Sequence, residues 1–199
     1  MTLGPLRKLL WALVGVAVLA FTLLLLWTDY RADQAREGAS QFFASFELTD
    51  HTGMVRTPED FAGRWMLVFF GFTNCPDVCP TTLADIAAVM EDLGERAKAV
   101  QPLFISIDPE RDTPKTLAEF IPRFEAGMIG LTGTPKQIER TAKSFYIFYE
   151  KLEEAAAPDG YVMGHSSQLF LFGPDAGYVM SWQYGTPVET VLADLRRRI

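Results

Sequence analysis

Cys75 and Cys79 lie in Gly71-Phe-Thr-Asn-Cys-Pro-Asp-Val-Cys-Pro80, with three residues between them. Pro76 and Pro80 restrict the backbone on either side, so both sulfurs can reach one point near the start of the helix that follows. A helix N-terminus favours thiolates, which are both the nucleophilic and the metal-ligating form of cysteine. Three chemistries are open to such a pair. The first is a structural disulfide, which in so short a loop removes little unfolded-state entropy. The second is thiol–disulfide exchange, with Cys75 attacking and Cys79 resolving. The third is binding of a soft metal ion.

Two thiolates and a neutral imidazole would make a three-coordinate site. The chain has two histidines. His51 lies in the hydrophilic turn Thr49-Asp-His-Thr-Gly53 and reads as a solvent-exposed turn residue. His165, in Tyr161-Val-Met-Gly-His-Ser-Ser167, precedes a strand. It is either the third ligand or an ordinary loop histidine. Structural zinc takes four protein ligands and there is no third cysteine, so a three-donor set favours Cu(I), with Cu(II) also open to it. Met163 shares the face of His165 in an extended segment and could add a thioether, core packing being the alternative.

These groups need elements to position them. Trp65 to Gly71 is a continuous apolar run of strand length, and Leu103 to Ile107 is a second, both patterned as buried strands. Between them, Leu83, Ile86, Ala87, Met90 and Leu93 share one face of a helix over 82–93, ended by Gly94. A helix over 116–124, a short strand over 129–131 and a helix over 135–145 follow. Strands at 167–172 and 178–182 read as a hairpin, and 187–197 as a last amphipathic helix. The alternation predicts an α/β fold, a central mixed sheet flanked by helices. Residues 28–41 read as a polar tether.

Residues 9–27 carry no charge. As a helix they would extend about 28 Å, which predicts an N-terminal transmembrane anchor. Arg7 and Lys8 before it would keep residues 1–8 in the cytoplasm and place the C-terminal domain on the extracytoplasmic side, the periplasm in a bacterium. The formal net charge is −7, and beyond residue 27 there are 16 basic against 25 acidic side chains. Such a body lacks the clustered cations that nucleic acid requires, and it would attract a basic partner. Arg196-Arg-Arg198 reads as the last turn of a helix, complementing its dipole.

The chain resembles the Sco/SenC family of membrane-anchored copper proteins, which help to assemble the dinuclear copper centre of cytochrome c oxidase subunit II. The resemblance rests on the Gly71–Pro80 segment, on Asp108-Pro-Glu-Arg-Asp-Thr-Pro114, and on His165-Ser166 followed by Phe170-Leu-Phe-Gly-Pro-Asp-Ala-Gly177. It implies that 42–199 form a thioredoxin-like copper-binding domain, with Cys75, Cys79 and His165 as the copper ligands. It further implies a metallochaperone served by a copper donor and a thiol reductant, its client being oxidase subunit II. No turnover chemistry is then required. The enzymatic alternative is a thiol–disulfide oxidoreductase that keeps the client's cysteines reduced through Cys75 and Cys79. Gly164 stands where the family commonly has Asp, and Asp108, Arg111 and Asp112 read as a loop-bracing ion-pair set.

Overall fold

Unbroken apolar runs form strands covered on both faces, and two of them make the centre of this molecule. The computed structural model describes residues 11, 13–15, 18, 21, 22, 24, 42–155 and 157–199. The chain divides into two units, Met1–Phe42 and Phe43–Ile199. In the second, β1 (Leu48–Asp50), β2 (Val55–Arg56) and β3 (Trp65–Gly71) precede α1 (Val78–Leu93). Then come β4 (Val100–Ser106), α2 (Pro114–Phe120), β5 (Ile129–Thr132) and α3 (Pro135–Ser144). β6 (Tyr149–Glu153), β7 (Tyr161–His165), β8 (Leu169–Phe172), β9 (Tyr178–Trp182) and α4 (Val188–Arg196) complete it.

Seven strands form one sheet in the order β2-β1-β5-β4-β3-β8-β9. β3 pairs parallel with β4 from Trp65↔Val100 to Gly71↔Ser106, and β4 pairs parallel with β5. β8 runs antiparallel to β3, from Met66↔Phe172 to Phe69↔Leu169. This is the mixed, helix-flanked, thioredoxin-like sheet that the sequence predicts. Met66 to Phe70 are essentially inaccessible. On one side Phe70, Phe145, Phe170 and Phe172 pack edge to face, with centroids 5.1–6.4 Å apart. The sheet ends in the two-residue β2 at one edge and in β9 at the other, where Tyr178 and Val179 are exposed.

β6 and β7 stand apart as a two-stranded antiparallel ribbon, with Tyr149 opposite His165 and Glu153 opposite Tyr161. No strand is predicted here from sequence, because Tyr149-Glu-Lys-Leu-Glu153 has no buried face to produce an apolar alternation. α1 begins four residues before the expected start at 82. Pro80 is tolerated in its first turn, where an N–H would have no intrahelical partner. The helix expected over 116–124 is α2 followed by a 3-10 turn, Ile121–Phe124, which carries Pro122 at its start.

The membrane anchor expected over 9–27 does not stand, nor does the single-pass localisation built on it. Among the described residues no helix is long and apolar enough to cross a membrane. A span needs about 20 consecutive helical residues. Within 9–27 the described residues are 11, 13–15, 18, 21, 22 and 24, all helical. The rest of 9–27, residues 1–8 and the tether over 28–41 lie outside the described residues.

Candidate metal centre

The two cysteines occupy the turn from the end of β3 into α1. Cys75 is half-buried and Cys79 is inaccessible to solvent. Cys79 lies in the first turn of α1, and its backbone N–H donates to the Cys75 sulfur at 3.3 Å. Asp77, at the N-cap position, makes no side-chain capping bond, so the sulfur of Cys75 takes over one orphan donor of the helix. Gly71 makes this approach feasible. A Cβ there would lie 2.8 Å from Cys79 Sγ and 2.9 Å from Phe104.

The two thiols differ in acidity. Hydrogen bonding from the Cys79 side chain and from the backbone N–H groups of Cys79 and Asp77 outweighs burial and holds the Cys75 thiol down at about 4. Cys79 is pushed the other way by its role as donor to Cys75, then by burial and by the negative charges of Cys75 and Asp112. At neutral pH the pair is therefore a Cys75 thiolate beside a Cys79 thiol.

His165 closes β7 and is partly buried. Its Nδ1 lies 2.9 Å from the Ser166 carbonyl oxygen. A carbonyl can only accept, so in the neutral ring Nδ1 carries the hydrogen and Nε2 keeps its lone pair. Nε2 faces Cys79 Sγ at 3.8 Å. Phe69 and Phe72 meet the ring edge-on, at 6.3 and 5.9 Å between centroids, and fix its plane. The structure thus brings Cys75, Cys79 and His165 together, through the Cys79 N–H bond to the Cys75 sulfur and the 3.8 Å approach of Nε2 to Cys79 Sγ. Among the described residues no set of three or more His, Cys, Asp or Glu side chains stands at metal-holding spacing. The donors themselves, two sulfurs and an imidazole with a free lone pair, suit a soft ion.

The remaining candidates divide. His51 is not a fully solvated turn residue: it is half-buried, and its Nδ1 accepts from the Gly130 N–H at 3.2 Å, which ties it to β5. Met163 lies on β7 opposite Lys151, half-buried. Gly164 stands opposite Glu150. Asp108 pairs with Arg111 at 2.5 Å, while the fully buried Asp112 accepts from Thr73 N, Thr73 Oγ1 and Ser106 Oγ at 3.0, 2.5 and 2.6 Å. Burial raises the Asp112 carboxyl, against the lowering effect of those bonds. Sequence reasoning missed Phe69, Phe72, Thr73 and Tyr161. Nothing local marks them, because their partners lie tens of residues away.

A family model described as SCO1/SenC matches residues 34–199. The bovine protein named "Protein SCO2 homolog, mitochondrial" is 36% identical over 156 residues. That alignment covers 77% of this chain and 58% of the relative, so the chain spans little more than half of that protein's length. Among solved structures, Arabidopsis thaliana ScoI with copper bound superposes with a TM-score of 0.73 at 33% identity, over 79% of this chain and 99% of that one. Bradyrhizobium japonicum ScoI with copper bound gives 0.72 at 35% identity, over the same two shares.

Proposed function

The chain belongs to the SCO1/SenC family, and from that premise we propose that it is a copper metallochaperone whose Cys75, Cys79 and His165 hold one copper ion and pass it on by ligand exchange. The observation that carries this reading is the fixed imidazole: with Nδ1–H on the Ser166 carbonyl, the free lone pair of Nε2 points at the cysteine turn. The cargo is Cu(I), which two thiolates and one imidazole suit, and Cu(II) is the second state of the same donor set. Cys75, half-exposed and already a thiolate, receives the ion. Cys79 then loses its proton to solvent as its sulfur binds, and His165 Nε2 completes the set without a change of tautomer. Unloading reverses the order, with the client's ligands entering from the Cys75 side. The client is cytochrome c oxidase subunit II, and a copper donor and a thiol reductant serve the loading step.

Chelator competition on the full reduced chain tests the ligand set. Wild type retains about one Cu(I), Cys75→Ser and Cys79→Ser lose it, and His165→Ala weakens retention by more than the roughly tenfold that loss of an outer-shell partner alone costs. Unchanged affinity in His165→Ala would reject the three-donor site.

The contrast between Cys75 and Cys79 supports a second reading, a thiol–disulfide oxidoreductase. The Cys75 thiolate attacks a client disulfide and expels one client thiolate. The Cys79 sulfur then displaces the other, so two electrons pass to the client and the pair ends as a disulfide. His165→Ala leaves this activity intact, and Cys75→Ser abolishes it.

A further inference from the structure

His165 sits on a ribbon that no backbone ladder joins to the main sheet among the described residues, so side chains must decide how far it stands from the cysteines. Those side chains converge on one loop, residues 108–112. Toward the ribbon, Asp108 accepts from the Tyr161 hydroxyl at 3.0 Å, Arg111 Nη1 donates to the Tyr161 carbonyl at 3.3 Å, and Glu110 pairs with Lys151 at 2.7 Å. The Arg111 guanidinium lies 3.8 Å from the centroid of the Tyr161 ring and Lys151 Nζ 3.9 Å from it. Both cations therefore hold the buried ring within cation–π distance. Toward the cysteines, the same loop is tied through Asp112 to Thr73, two residues before Cys75. Arg111 also lies over Phe72, the ring that packs edge-on against His165.

Tyr161 and His165 are four residues apart on one strand. They therefore share a face, about 13 Å from one another. Tyr161 pins one end of that face to the 108–112 loop, and His165 meets Cys79 at the other. We propose that residues 108–112 act as a two-sided clasp that sets the distance between His165 and the cysteines, with Tyr161 as the positioning residue that engages it. The inference rests on the three-donor reading above and adds what holds the third donor in place.

Tyr161→Phe is the decisive variant, because it keeps the ring and its two cations and removes only the bond to Asp108. Cu(I) retention by the full chain, read by chelator competition, falls about tenfold, the scale for a partner that orients a ligand. The same substitution made in His165→Ala costs nothing further, since no imidazole remains to be misplaced. An equal loss in both backgrounds, or no loss in either, overturns the clasp. A metal-free readout separates this from the function itself. Proton nuclear Overhauser contacts between the His165 ring and the Cys79 side chain, assigned by the signals missing in His165→Ala, are present in the reduced metal-free wild type and lost in Tyr161→Phe. If His165→Ala retains copper unchanged, the three-donor reading fails, and these contacts still decide the clasp: their persistence at wild-type strength in Tyr161→Phe sinks it. Circular dichroism of Tyr161→Phe matches wild type, and a lost fold would likewise count against positioning as its role.

Discussion

With Cys75 held as a thiolate, its alkylation rate should stay flat as pH falls from about 8 to 6 and decline only toward about 4. An ordinary thiol with a pKa of about 8.5 slows roughly tenfold per pH unit over the upper range. Mass spectrometry of the singly alkylated protein checks this, and a tenfold slope per unit contradicts the proton assignment. Loading provides a second test of the same assignment. Because Cys79 keeps its proton, its thiol raised by donation to Cys75 and by burial, Cu(I) binding at pH 8 should release about one proton per ion, measured by dye titration in weak buffer. Two protons would mean that both cysteines start as thiols. Gly71→Ala forces a methyl group against Cys79 Sγ and Phe104, neither of which has open space behind it. Urea unfolding should register a loss of about 1–3 kcal/mol, the scale of overpacking in a core.

The turn carrying Cys75 is braced from the loop that follows β4. Asp112→Ala leaves the Thr73 N–H and the Thr73 and Ser106 hydroxyls without their acceptor. The expected cost is about 2 kcal/mol by urea unfolding. Much of this level was legible in the sequence, because β3 and β4 are continuous apolar runs and α1 shows an apolar face closed by Gly94. The cysteine turn was legible for the same reason: both sulfurs lie in one short segment between a strand and a helix. What sequence could not display is the ribbon. β6 is charged and exposed, and Gly164 in β7 reads as a loop residue, so neither strand announces itself. The direction of the His165 ring depends on Phe69 and Phe72, contacts reaching across the chain that no local pattern encodes. The N-terminal apolar run shows the opposite case, in which a strong local pattern led to an expectation of a span that the described helices do not meet.

Over the whole chain acidic side chains outnumber basic ones, 25 to 18. Association with a basic client domain should accordingly slow as salt rises from about 0.01 to 0.15 M, where the Debye length falls from about 30 to 8 Å. Stopped-flow rates at those two ionic strengths test it. The margins of the sheet are unequal in a way that matters for handling the protein. β2 is too short to template another chain's strand, whereas β9 is a five-residue margin with Tyr178 and Val179 exposed, preceded by the Phe43–Gly177 bridge and the Ala44 N–H bond to the Ala176 carbonyl. Stacking between copies, and fibre growth on prolonged concentration, should start along β9. A lysine in place of Val179 should raise the concentration at which light scattering begins.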